Sequence, residues 1–252
     1  MSAETPPPAA VLMQMLFGPT LQQSIYVAAE LGIADLLAEN PQTAAELASR
    51  TATHEPSLYR VLRLLPSIGI FAERSDRNFE LTPMAMLLRS DVPGSMRDIT
   101  RMMGGEWHWR MYGELMHSVR AGGTAIGKAH GMEPFELLAE DPEAGELFNR
   151  AMTSNSWAVI PAVVASYDFS RFNTVLDVAG GHGILLAGIL KANPQVRGVL
   201  FDLPSVIEGA GALLTSEGVS DRVERVSGDF FRSIPAAADA YVLKHILHDW
   251  DD

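Results

Sequence analysis

Thr174-Val-Leu-Asp-Val-Ala-Gly-Gly-His-Gly183 opens as a short apolar run of β-formers and closes in three glycines, just before a helix-like run over residues 184–190. An apolar run of this length, bounded by a turn, reads as a buried parallel strand. Strand, glycine turn and helix together make a nucleotide-type site. Gly180, Gly181 and Gly183 leave bare backbone for a ligand, and Asp177 at the strand end is placed to take a charged or hydroxyl group. The spacing departs from the dinucleotide fingerprint. Counted from Gly181, its third small position is filled by Leu186, which disfavours a pyrophosphate.

Downstream, the rhythm is short strand, loop and helix, with strands expected at residues 175–178, 198–201, 223–226 and 241–243. This is an open, parallel, doubly wound sheet, whose ligands belong at the carboxyl ends of its strands. The second strand ends in Asp202, about twenty residues beyond the glycine loop, where a carboxylate can accept both ribose hydroxyls. After the third come Gly228, Asp229 and Phe230, suited to hydrogen-bond and cover an adenine edge. The fourth ends in Lys244, His245, His248, Asp249 and Trp250.

Upstream, residues 1–9 read as a Pro-rich flexible tail, and helical periodicity begins near Val11. A helix is expected over 43–49, with Thr43 and Glu46 in capping-box spacing, and another over 55–65. A hairpin over 71–81 completes a winged helix-turn-helix within 10–94. Residues 95–168 are helical again, broken by glycine pairs and dense in Met and aromatic residues such as Met102, Trp107 and Trp157. Most of these suit core packing, and they also suit a flat organic ligand.

Composition narrows the partners. In 252 residues, 47% hydrophobic content supports a sizeable core, and a net charge of −12 opposes general affinity for nucleic acid or an anionic membrane. Arg60 and Arg63 share a helix with five leucines and valines, and acidic residues surround it, so the phosphate footprint of a DNA-binding wing is missing. The bland alternative is that this unit packs on its twin, because the apolar stretch 11–16 has little of its own chain to cover it. No Cys is present, which excludes disulfides and thiolate metal sites. The N-terminus lacks an apolar signal core, so a cytoplasmic address is expected.

Four motifs, Leu176-Asp-Val-Ala-Gly-Gly-His-Gly183, Phe201-Asp-Leu-Pro204, Gly228-Asp-Phe-Phe231 and Leu243-Lys-His-Ile-Leu-His-Asp-Trp250, closely resemble the S-adenosylmethionine-dependent small-molecule O-methyltransferases, of plant phenolic and bacterial aromatic polyketide type. Gly127-Lys-Ala-His-Gly-Met-Glu-Pro-Phe135 and Phe148-Asn-Arg-Ala-Met152 are similar to that family's substrate-side segments. The resemblance implies a mostly helical winged-helix domain that serves dimerisation (10–94), a helical substrate-side region (95–168) and a Rossmann-like donor domain (169–252).

It also implies roles. The glycine loop of Gly180, Gly181 and Gly183 would hold the methionine part of the donor, Asp202 the ribose, and Asp229 and Phe230 the adenine, with Ser156 and Lys244 completing the pocket and Asp177 and Leu203 also on the donor side. Trp109, Phe135, Phe148, Met152 and Asn155 would line the acceptor. His248 matches the general base, with Asp249 as its partner or as a helix cap. The chemistry needs such a base because a phenol, with a reference pKa of about 10, is a poor nucleophile at neutral pH. His182 is expected to be a spectator. The resembled family is metal-independent, and His245, His248 and Asp249 are only a partial ligand set.

The family continues past this motif to complete a sheet of about six or seven strands. A chain ending at Asp252 is therefore expected to be a fragment with an exposed apolar fourth strand and weak or no methyl transfer. Two other readings share these residues. One is a donor-binding relative diverted to hydroxylation or decarboxylation, and the other is a winged-helix regulator that senses a metabolite.

Overall fold

The computed structural model describes residues 6–235 and 238–250, and the chain separates into two compact units, Met1–Ala144 and Gly145–Asp252. The expected tail over 1–9 lies mostly outside the described residues. From Pro8 the backbone is already helical, because a proline at the first helical position has no N–H to leave unpaired.

In the first unit the order is α1 (Pro8–Leu16), α2 (Gly18–Glu30), α3 (Ile33–Leu36), β1 (Gln42–Thr43), α4 (Ala44–Thr51), α5 (Glu55–Leu64), β2 (Ala72–Glu73), β3 (Asn78–Glu80) and α6 (Pro83–Met86). The antiparallel sheet β1-β3-β2 forms the wing. β2 and β3 are the expected hairpin, turned at Arg74–Arg77, where Asp76 Oδ1 accepts the Asn78 N–H. The third strand, β1, is a difference from the sequence reading: two residues pair with Asn78 and Phe79, too few to leave an alternating pattern. Leu47, Leu58, Leu62, Leu65, Phe71 and Phe79 fill the core between the helix pair and the wing.

The start of α4 follows directly from its sequence. Thr43 Oγ1 accepts the Glu46 N–H at 3.3 Å, and Glu46 Oε2 accepts the Thr43 N–H at 2.7 Å. Two orphan donors of the first turn are thus satisfied reciprocally. Replacing Thr43 by Ala removes half of the box and is expected to destabilise this unit by about 1 kcal/mol, read as a lowered denaturant midpoint.

Short helices α7 (Arg97–Gly104), α8 (Glu106–Gly113), α9 (Leu115–Ala121), α10 (Ala125–His130) and α11 (Pro134–Glu140) complete the unit. On α8, Trp107, His108, Trp109 and Tyr112 meet edge to face.

The 25-residue α12 (Pro142–Ser166) leads into β4 (Thr174–Val178), α13 (Ile184–Ala192), β5 (Arg197–Asp202), α14 (Pro204–Ser216), β6 (Val223–Ser227) and β7 (Ala240–Val242). The four strands are parallel in the order β6-β5-β4-β7, so the chain passes from β4 outward to β6 and then returns to the other side of β4. All four lie within a residue or two of the stretches expected from the sequence.

Residues alternate across the sheet as the strand period of two requires. Val175 and Leu200 face the helices, in a core with Leu186, Leu190 and Leu214. Leu176, Val178, Val199 and Phe201 face the other way, against Val226, Phe230 and Leu243. Tyr241, on the β7 edge, is half exposed.

Candidate donor site

The point where the chain reverses between β5 and β7 around β4 is a topological switch point, and the glycine loop lies there at the carboxyl end of β4. Ala179 (φ 51°), Gly181 (φ 62°) and Gly183 (φ 83°) put three left-handed residues within five. At Gly183 this turn delivers the chain into α13, and a Cβ there would stand 3.0 Å from Leu200 Cδ2. Around Gly181 nothing lies within 4 Å of the place a Cβ would take, so the outer face of the loop is open backbone.

Three charged side chains meet below the loop. Asp177 is buried and accepts the N–H of Leu186 in the first turn of α13, where the helix dipole favours a negative group. Burial, with the added charge of Asp202, pushes its carboxyl up to about 7, while Lys244 and the Leu186 N–H pull the other way. Asp202 is also raised, first by burial, and is held back by the N–H groups of Gly181 and Leu203. Lys244, after β7, is lowered by burial and supported by Asp177.

A carboxyl titrating near 7 in the folded state and near 4 when unfolded binds more protons folded than unfolded between these values. Its stabilising contribution is complete at low pH and is lost as pH rises through about 7. The wild type is expected to lose thermal stability relative to Asp177→Asn as pH rises from about 4 to 7 without ligand, and calorimetric melting across that range measures the difference.

Asp202 fixes the loop. Its Oδ2 accepts the Gly181 N–H at 2.8 Å and its Oδ1 the Leu203 N–H at 2.7 Å. Its carbonyl accepts the Gly228 N–H at 2.9 Å, which ties the end of β6 to the same corner. Each carboxylate oxygen keeps a further lone pair. This clamp was not foreseen from the sequence, where Asp202 figured only as a ribose acceptor.

Beyond β6, Asp229 Oδ1 accepts the Phe231 N–H, and the Phe230 and Phe231 rings pack at 4.4 Å. Trp250 lies edge-on to Phe231 at 4.6 Å. His248 and Asp249 fall in a short 3₁₀ turn, with Nε2 to Oδ1 at 3.1 Å and the imidazole 60% exposed. His245 and His248 have ring centroids 5.2 Å apart.

Other residues named from the sequence are placed by their own elements. Ser156 is buried on α12, and its hydroxyl hydrogen goes to the Met152 carbonyl at 2.8 Å. Phe148, Met152 and Asn155 lie on the same helix, over nearly two turns. Trp109 and Phe135 belong to α8 and α11 of the first unit. The cofactor-side set of Asp177, Gly180, Gly181, Gly183, Asp202, Leu203 and Lys244 therefore converges at one sheet end.

A ligand with an amino-acid half and a nucleoside half fits this cradle: bare backbone and an exposed face at Gly181, and acidic groups at the two strand ends. A family model for the O-methyltransferase domain matches residues 112–252, and one for the O-methyltransferase dimerisation domain matches 13–91.

Phenazine O-methyltransferase PhzM of Lysobacter antibioticus is 47% identical over 98% of this chain and 72% of its own length. The crystal structure of LaPhzM superposes with a TM-score of 0.93 at 46% identity, covering 98% of this chain and 74% of that one. The neocarzinostatin-biosynthesis O-methyltransferase NcsB1, solved in complex with S-adenosylmethionine and 2-hydroxy-5-methyl naphthoic acid, is 34% identical with a TM-score of 0.75, covering 91% and 71%. With both family models matched and a Rossmann-like sheet carrying the donor cradle, the chain belongs to the S-adenosylmethionine-dependent O-methyltransferases.

Proposed function

We propose that the protein moves the methyl group of S-adenosylmethionine to a phenolic hydroxyl of a small aromatic natural product. The observation that carries this reading is the open glycine loop clamped by Asp202 beside buried Asp177 and Lys244. The donor supplies a methyl group already activated on a sulfonium.

This chain's residues do the rest. Asp177, Gly180, Gly181 and Gly183 hold the amino-acid half, with Lys244 and Ser156. The free lone pairs of Asp202 take the ribose hydroxyls, Leu203 holds that carboxylate through its N–H, and Asp229 and Phe230 hold and cover the adenine. Phe148, Met152 and Asn155, all on α12, contact the acceptor. His248 removes the phenol proton, and Asp249 orients it. Holding the oxygen in line with the methyl group, away from water, supplies the remaining acceleration.

A small aromatic acceptor is supported by the relatives, one a phenazine O-methyltransferase and one solved with a naphthoic acid. The acidic chain, with its charge of −12, speaks against a nucleic-acid partner. Among the described residues no helix is long and apolar enough to cross a membrane.

The likeness of 13–91 to a dimerisation domain and the exposed Leu12, Met13, Met15 and Leu16 along α1, with Phe17 at its C-cap, support a homodimer through the N-terminal domain. Sedimentation at twice the 27.3 kDa chain mass is the expected result.

The function is tested with methyl-labelled S-adenosylmethionine and two probes, a hydroxynaphthoic acid and the same acid lacking its phenol. Label recovered as a methoxy group only from the phenol supports the reading. A folded chain that binds the donor but returns hydroxylated or decarboxylated probe would replace it with a diverted activity.

A further inference from the structure

The glycine loop carries a single side chain larger than a methyl group, that of His182. Its Nδ1 lies 3.1 Å from Thr153 Oγ1 on α12. A threonine hydroxyl has one hydrogen, and here it is committed to the Asn149 carbonyl, one turn earlier, at 3.0 Å. Only lone pairs on Oγ1 are left to face the ring, so Nδ1 carries the imidazole hydrogen and donates it.

Burial lowers the basicity of His182 below the ordinary imidazole range. The carboxylates of Glu146 and Asp202 oppose that shift, and Arg150 adds to it. The other edge of the ring lies against α14 at Gly209, where a Cβ would stand 3.3 Å from Nε2. A glycine in mid-helix is unfavourable for the helix itself, and at this position it leaves the ring its room. His182 is thus seated between α12 and α14.

We infer that His182 is a positioning residue that fastens the donor loop to α12 through Thr153, independently of the Asp202 clamp. A loop with three left-handed residues has little preference of its own for one conformation. Its backbone is also the surface the donor meets. Each side chain that holds the loop before binding removes ordering cost from the binding step. Asp202 holds the Gly181 N–H from β5 and Thr153 holds the side chain of the next residue, His182, from α12, so two adjacent loop residues are fixed from different elements.

This inference rests on the donor reading above, and its test separates the two. S-adenosylmethionine is titrated calorimetrically into the wild type, His182→Ala, Thr153→Val, the double variant and His182→Asn. Losing one part-buried hydrogen bond at the loop is expected to raise Kd roughly five- to tenfold in each single variant. The double variant is expected to be no weaker than either single, because both remove the same bond. His182→Asn keeps an N–H donor at the position of Nδ1 and is expected to recover most of the affinity. In turnover, the KM for the donor rises while kcat is held.

Unchanged Kd with only a lowered melting temperature would overturn the inference, as would losses that multiply in the double variant. Thr153→Val preserves shape and decides the matter if His182→Ala does not fold. Absence of donor binding in folded wild type would overturn the donor reading itself.

Discussion

Asp202→Ala is expected to weaken S-adenosylmethionine binding by at least about a hundredfold. Two backbone N–H groups, Gly181 and Leu203, lose a charged acceptor at once. Hydrogen bonds to charged groups contribute roughly 1.5–3 kcal/mol each, and about 2.8 kcal/mol corresponds to a hundredfold. The same substitution removes the lone pairs assigned to the ribose.

Asp202→Asn keeps one acceptor oxygen and is expected to fall between the two. It has a second, independent signature. The negative charge of Asp202 is one of the two causes that push Asp177 up to about 7. Neutralising it leaves burial as the remaining upward cause, so the pH at which Asp177 affects stability moves down. Calorimetric titration and pH-dependent melting of the same variant read both effects. A variant that binds donor like the wild type would remove Asp202 from the site.

These couplings show where the sequence was informative and where it was silent. The strand-glycine-helix stretch at 174–183 and the acidic residue about twenty positions on are local patterns, and they located the parallel sheet and the strand end where the glycine loop lies. The capping box at Thr43 and Glu46 is likewise a four-residue signal that the chain obeys. Contacts between residues distant in sequence are another matter. That the Asp202 carboxylate bonds Gly181, that Lys244 faces Asp177, or that His182 meets Thr153 across 29 positions depends on how helices settle on the sheet. No spacing rule encodes it.

The strand β1 escaped notice for a different reason. Two residues carry no period, and Gln42 is placed by its pairing with Phe79 rather than by strand propensity. An isolated histidine in a loop, such as His182, has no sequence pattern that marks it out from a spectator. Its partner on α12 supplies one.

His248→Ala is expected to lower kcat by roughly 10²- to 10⁴-fold, the usual contribution of a positioned general base, while the donor Kd stays near wild type. The geometry says more than the motif does. Nε2 stands 3.1 Å from Asp249 Oδ1. Against a carboxylate that nitrogen is the donor, which leaves Nδ1 with a lone pair, the one the proposed role requires.

Asp249→Ala should therefore cost less than His248→Ala, because the pair is exposed and the imidazole keeps a basic nitrogen without it. The decisive comparison uses two acceptors of similar shape, one an ordinary phenol and one an electron-poor phenol already ionised at the assay pH. An ionised oxygen has no proton to remove. The His248→Ala loss should then be large for the first acceptor and small for the second, with donor binding equal in both assays. Equal losses for the two acceptors would mean that the imidazole contributes through orientation or charge, and proton removal would have to be assigned elsewhere.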